Sequence, residues 1–373
     1  MQLDKLIEEG ARQMAICNAC RYCEGYCAVF PAMERRLDFA AGDLNYLANL
    51  CHNCGECYYA CQYAPPHEFG VDIPRLMAKI RVQTYAQYAW PAVLGQAYRN
   101  NGVVVALLLC AVLIASLLAA FLLLGGARIF TAVPGGNFYA LIPHKVMATS
   151  FGAVALFVLL ALLMGFLNFW RDTGESLGEF LKPVALWQGL RDGLSLKNLH
   201  NAGADCTFKG EEQRSPWRRW FHHLTFYGFM LCFAATSMAT VYHYVFGWVA
   251  PYAFTSLPVV LGTLGGVGLV IGPLGLYWLG VKRDATTADP EQRGMDVAFI
   301  TLLVLTSVTG LLLLFLRETA ALGSLLIIHL GVVLALFVTL PYGKFVHGIY
   351  RAAALVKFAL ESKRPGHNVG AED

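Results

Sequence analysis

Residues 103–124 read VVVALLLCAVLIASLLAAFLLL, an apolar run without a single charge. About 20 such residues in a helix cross a hydrocarbon core of about 30 Å, so the stretch reads as a membrane span. Working outward, five more runs follow at approximately 146–170, 222–246, 256–280, 297–316 and 325–345. The last is the least regular, because Pro341 removes a helix donor and is expected to kink the helix or end its regular part. Composition agrees: 57% of the chain is hydrophobic and 14% is charged, well below the roughly 25% charge of soluble domains. The net charge of +3 is too small for a nucleic-acid footprint, and the basic residues flank apolar segments instead of forming one patch. Nucleic acid is therefore not an expected partner.

The basic residues set the expected orientation. The connection 171–221 carries Arg171, Lys182, Arg191, Lys197, Lys209, Arg214, Arg218 and Arg219, and 282–294 carries Lys282, Arg283 and Arg293. Segments 247–255 and 318–324 carry none. Basic loops remain cytoplasmic, so both termini are expected on the cytoplasmic face of a bacterial inner membrane, with an even number of spans. The opening MQLDKLIEEGARQ lacks the basic-then-apolar pattern of a signal peptide.

Ahead of the spans lie eight cysteines in two quartets, Cys17, Cys20, Cys23, Cys27 and Cys51, Cys54, Cys57, Cys61. Each has the spacing C-x2-C-x2-C-x3-C, and the second repeats the first at an offset of 34 residues. Thiolates so spaced wrap an iron–sulfide cubane, and two quartets imply two [4Fe-4S] clusters. In the ferredoxin arrangement the fourth cysteine crosses over. That assigns Cys17, Cys20, Cys23 and Cys61 to one cluster and Cys51, Cys54, Cys57 and Cys27 to the other. The chain departs from the simple run in having its prolines, Pro31 and Pro65, four residues beyond the fourth cysteine. Zinc favours two separated ligand pairs, and disulfides favour an oxidising compartment, so both fit the pattern less well.

The expected fold is mainly α: a small cytoplasmic, ferredoxin-like or helical two-cluster domain at 1–90, then a six-helix transmembrane bundle. An interfacial linker at 91–102 leads into a membrane domain at 103–350, and 351–373 forms a cytoplasmic tail. The head is expected to have little apolar core of its own and to be pinned by its clusters. The loop 171–221 offers no secondary-structure pattern.

Histidines punctuate the apolar region. His222 and His223 open the third span, His243 closes it, His329 begins the sixth and His347 lies just past its end. In one ideal helix His329 and His347 share a face about 27 Å apart. His222 lies about 60° from His243, and His223 about 160°. His222 and His347 then sit on the cytoplasmic side, with His243 and His329 opposite, a geometry for one or two b-type haems. The alternative for each is an interfacial residue, although ionisable groups within spans are costly and point to function. His144 is a boundary residue or a quinone contact. His52 and His67 face solvent or tune a cluster by hydrogen bonding. Cys110 and Cys232 read as small hydrophobes, Cys206 as a surface thiol, and the glycines of 262–268 as helix-packing positions.

The two quartets followed by six spans, with RRWFHHLTFYGFMLCF at 218–233, resemble the membrane iron–sulfur proteins of tricarballylate utilisation, the CitB/CobZ-type family. The resemblance covers essentially the full chain. It implies an FAD-dependent partner, a tricarballylate dehydrogenase-like enzyme forming cis-aconitate, whose reduced flavin is reoxidised through the clusters and haem b, with quinone as the electron acceptor in the lipid membrane. The chain itself would not act on the organic substrate. Two other readings remain: an electron-transfer subunit for another flavoprotein or a heterodisulfide-reductase-like system, and a transporter or sensor with a metal-stabilised module. The spans lack the paired, interrupted helices and buried acidic residues that often mark substrate or ion pathways, which counts against transport.

Overall fold

In lipid every backbone polar group must be satisfied within its own segment, so each apolar run is constrained to helix. The computed structural model describes residues 2–123, 127–199 and 216–364, and among these no β-strand occurs. The head contains α1 (Gln2–Cys20), α2 (Val29–Met33), α3 (Ala41–Leu50), α4 (Glu56–Tyr59) and α5 (Ile73–Tyr88). Then come α6 (Ala92–Leu123), α7 (His144–Asp172), short α8 (Leu177–Phe180), α9 (Pro183–Leu194), α10 (Trp217–Tyr244), α11 (Leu257–Lys282), α12 (Pro290–Phe315), α13 (Leu322–Thr339) and α14 (Val346–Glu361). Six of these, α6, α7 and α10 to α13, are long and apolar enough to cross a membrane.

Polar and proline signals fix the helix starts. Asp72 caps α5 by accepting the Arg75 N–H at 3.1 Å, with Pro74 in the first turn. Asp289 caps α12 by accepting the Gln292 N–H at 3.1 Å, with Pro290 at its first position. Such caps satisfy donors that have no partner within the helix.

The head has a substantial apolar core, correcting the sequence expectation. Met14, Leu44, Leu47, Met77 and Ile80 are fully buried, each contributing about 1.5–3 kcal/mol in transfer terms. The core is shared: Phe169 and Trp170 at the end of α7, and Tyr350, Ala354 and Val356 on α14, join the same cluster. Residues 351–361, expected as tail, therefore form a buried helix against the head. The 92–102 stretch is not a separate linker but the first turns of α6. Connection 171–221 contains α8 and α9, and α9 packs so closely on α14 that a Cβ at Gly189 would lie 2.7 Å from Val356.

Polar contacts fasten the head to the bundle. Tyr88 donates to Asp172, whose Oδ2 also accepts from Asn45 at 2.8 Å. Glu361 accepts from Arg36 at 2.6 Å and from the Tyr46 hydroxyl at 3.0 Å, and Lys357 donates to the Thr173 carbonyl at 2.5 Å. The head thus sits at the end of the bundle where α7 and α11 finish and α10 and α12 begin.

In the bundle, glycines set the approach of α10 and α11. A Cβ at Gly265 would lie 2.8 Å from the Cys232 nitrogen, and one at Gly272 would lie 2.6 Å from the Thr225 nitrogen. Only a residue without a side chain permits such contact. Helix α13 ends at Thr339, and 340–345 turns before α14 begins. Pro341 therefore ends the span, so the one-helix relation between His329 and His347 does not hold.

Candidate functional site

The repeat in the cysteines is also a repeat in the backbone. Arg21 and Gly55, equivalent at the 34-residue offset, both take left-handed conformations, with φ of 55° and 90°. Each follows the second cysteine of its quartet, where the chain must turn sharply for the next thiol to face the same centre. A non-glycine residue rarely adopts this conformation, so Arg21 carries strain at that point.

Two thiol neighbourhoods result. Burial pushes the Cys17 thiol up to about 12, and the next causes are Cys61, Cys23 and Cys20. Burial raises Cys27 strongly, followed by Cys54 and Cys51, while Cys57 is raised by burial and then by Cys54, Cys51 and Cys27. The fourth cysteine of each run thus neighbours the other quartet. A small cavity of about 20 Å³ is lined by Cys27, Cys51, Cys54 and Cys57 together with His52 and Glu56. Backbone N–H groups point at the sulfurs: Asn53 donates to Cys51 Sγ at 3.3 Å, and Val29 and Glu56 donate to Cys27 and Cys54. Donors of this kind favour thiolate over thiol. Among the described residues no three His, Cys, Asp or Glu side chains converge tightly enough for a single ion. A cubane holds its thiolates further apart than one zinc with bonds of about 2.3 Å.

Segment 51–54 is gripped by arginines from several elements. Arg81 on α5 donates to the Ala48 and Cys51 carbonyls at 2.8 and 2.9 Å. Arg218 on α10 donates to the His52 carbonyl at 2.8 Å and the Asn53 carbonyl at 3.2 Å. Arg283, just past α11, reaches Asn53 Oδ1 at 3.1 Å. Arg351 on α14 donates to the Cys51 carbonyl and contacts His52 Nδ1. Burial, then the charges of Arg351, Arg218 and Arg81, hold His52 well below the usual imidazole range, and His222 also contributes. His52 is therefore neutral and half-buried, its Nδ1 against Arg351 and its Nε2 buried without a hydrogen-bond partner. His67 instead packs against Tyr63 and Phe69.

His222 and His347 come together, with ring centroids 6.0 Å apart and planes at 83°. His347 Nδ1 lies 2.5 Å from the Lys344 carbonyl, which requires Nδ1–H to donate and leaves Nε2 a lone pair. His222 Nδ1 is buried without a hydrogen-bond partner. His223 points elsewhere, its ring 5.6 Å from Tyr227. At the far end the expected partnership is replaced: His243 stacks on His144, centroids 3.8 Å apart and 20° from parallel. His329 bonds Thr309 Oγ1 at 3.0 Å across the α12–α13 contact. The reason is lateral: α10 packs on α11, whereas α13 packs on α12 and α6, so matched depth does not bring the two histidines together.

Sequence reading missed the roles of Arg81, Arg283 and Arg351. Arg351 carried a usable signal, a cation one helical turn beyond His347 in the largely apolar stretch 346–360. Cys206, Lys209 and Arg214 lie outside the described residues.

Residues 99–368 match the family described as citrate utilization protein B, and residues 10–87 match its Fer4-like domain. Citrate utilization protein B of Escherichia coli is 50% identical over 373 aligned residues, covering 97% of this chain and 97% of that protein. No solved structure matches. An identity this high across nearly the whole length carries both the Fer4-like head and the span region along with it, and the chain belongs to the citrate utilization protein B family.

Proposed function

We propose that this chain is a membrane electron-transfer subunit that reoxidises the reduced FAD of a partner dehydrogenase and delivers the electrons to the quinone pool. It would do so through two [4Fe-4S] clusters and haem b. One cluster is assigned to Cys17, Cys20, Cys23 and Cys61, the other to Cys51, Cys54, Cys57 and Cys27, with haem between His222 and His347. The clusters and haem supply one-electron chemistry, while the protein sets position and potential. The observation that carries the reading is that the His222 and His347 rings meet 6.0 Å apart on helices whose Arg218 and Arg351 also hold the Cys51–His52 stretch of the second quartet.

The His222/His347 pair suits haem. Iron bonded to two imidazole nitrogens at about 2.0 Å puts the ring centroids roughly 6 Å apart. The lone pair of His347 is held on the nitrogen needed for ligation. The stacked His144/His243 pair is too close to flank one iron, and His243 with His329 is not retained as a second ligand pair. The Escherichia coli relative's name supports a partner in tricarboxylate metabolism, and we assign oxidation of tricarballylate to cis-aconitate. The head and both termini are assigned to the cytoplasmic side, following the basic connections around 171–221 and 282–294.

Purified protein should contain iron, acid-labile sulfide and a Soret band, and should carry electrons from reduced flavoprotein to a quinone analogue. A preparation with zinc and neither iron nor Soret absorbance would overturn the proposal and favour a metal-stabilised transporter or sensor. Wild-type growth on tricarballylate after deletion of the gene would remove the substrate assignment alone.

A further inference from the structure

Segment 51–54 collects positive charge far beyond what its fold requires. Four guanidinium groups, from α5, α10, the residue after α11, and α14, converge on three successive residues, Cys51, His52 and Asn53. Among the described residues Arg81, Arg218 and Arg351 bond carbonyls, an amide oxygen and an imidazole, and no carboxylate. Buried cations are tolerated where anions answer them, and the adjacent candidates are the buried Glu56 carboxylate and the thiolate set Cys51, Cys54, Cys57 and Cys27 in the same cavity. Among the described residues the stretch between Cys17 and Cys27 shows no arginine side chain reaching it from another element, only Arg21 bonding the Asn18 carbonyl, and Ala19, Arg21, Tyr22, Glu24 and Gly25 are exposed.

We propose that Arg81, Arg218, Arg283 and Arg351 act as positioning residues that raise the reduction potential of the group held by Cys51, Cys54, Cys57 and Cys27. Its potential lies above that of the group at Cys17, Cys20, Cys23 and Cys61, making the membrane-side quartet the electron exit and the exposed quartet the entrance. This rests on the cluster reading given above. Adding one electron makes a thiolate-bound cluster more negative, and cations stabilise that state more than the oxidised one. Burial acts the other way, by removing water from the same charge. The arginine collar outweighs it because charges inside protein are screened far less than in water. The exchange moves one electron: one quartet's group is oxidised, the other's is reduced, and no bond or proton changes.

The test is a potentiometric titration of the full-length protein followed by EPR, with Cys20→Ser and Cys57→Ser identifying which signal belongs to which quartet. In the wild type the Cys57-dependent signal is expected to reduce at the higher potential. Arg351→Gln should lower the reduction equilibrium constant of that signal about tenfold, 59 mV for one electron, and alter the Cys20-dependent signal less than twofold. Arg351→Lys, which keeps the charge, should restore most of the shift. The reverse order of potentials, equal shifts of both signals, no shift, or a lysine variant that falls as far as the glutamine variant would each overturn the proposal. If Arg351→Gln fails to assemble, Arg218→Gln and Arg283→Gln carry the same expectation from separate elements, and no shift in either counts against it. Wild-type protein without any cluster signal would sink the function proposed above, a result distinct from clusters that are present but unshifted.

Discussion

Gly272→Ala tests whether close contact between α10 and α11 is what holds His222 in place. The added methyl would sit 2.6 Å from the Thr225 nitrogen and hydroxyl and 2.8 Å from the Phe221 carbonyl, where ordinary contact begins at 3.4 Å. Relief requires the helices to part by about 0.8 Å, because the obstructing atoms are mostly backbone and cannot rotate away. Overpacking costs about 1–3 kcal/mol, and immobile neighbours place this site near the upper end. Replacing an interior glycine by alanine returns about 1 kcal/mol of helix propensity, leaving a net loss of about 2 kcal/mol. Gly280→Ala is the control, since a methyl there meets nothing within 4 Å and should be neutral or slightly stabilising. The displaced segment 221–225 carries His222, so the Soret band should weaken together with the thermal midpoint in detergent. Gly272→Ala and Gly280→Ala behaving alike in both measurements would refute the argument.

The remaining expectations concern the head junction and the redox residues. Glu361→Ala strands the buried Arg36, which retains only Asp43 and the Ala32 carbonyl. It should destabilise the folded protein by about 3 kcal/mol, read as earlier protease cleavage between the head and α14. Asp284 is held below its ordinary 3.8, first by the Thr286 N–H, and it also meets the Tyr59 hydroxyl. A depressed carboxyl contributes its stability above pH 3.8 and loses it as pH falls further. Asp284→Asn should therefore flatten acid unfolding in that window, and an unchanged acid profile would contradict the assignment. Cys20→Ser and Cys57→Ser should each remove about half of the iron while leaving the Soret band. His222→Ala and His347→Ala should abolish that band, whereas a comparable loss in His329→Ala would restore the ligand pairing set aside here.

Local signals were legible and lateral ones were not. Six spans could be read because lipid enforces long apolar helices, and the cysteine spacing reports local wrapping of one centre. That His222 and His347 lie at one end of the bundle was also anticipated, although by an argument that assumed a continuous helix through Pro341. Their rings meet because α14 restarts at Val346 and returns His347 to the same depth. His243 with His329 failed because depth along a helix says nothing about which helices are neighbours. The core shared by head and α14 was hidden for a similar reason: Tyr350, Ala354 and Val356 meet Leu44 and Met77 only after six spans have returned the chain to its starting side.

The arginine grip on segment 51–54 also bears on how the protein assembles. Arg218, Arg283 and Arg351 belong to the bundle, whereas Arg81 and the second quartet belong to the head, so docking the two gathers like charges around one short loop. Without an anion at the quartet that gathering opposes docking, since buried cations repel at low dielectric. On the proposed cluster reading, thiolates bound to iron would reverse the sign, because metal binding deprotonates cysteines and its free energy becomes folding free energy. The apolar contacts of Phe169, Trp170 and α14 favour docking whether or not the quartet is filled. On that reading cluster loading and head docking would be linked equilibria, each strengthening the other, and the charge proposed to tune the exit site would also tie a seated head to a filled one.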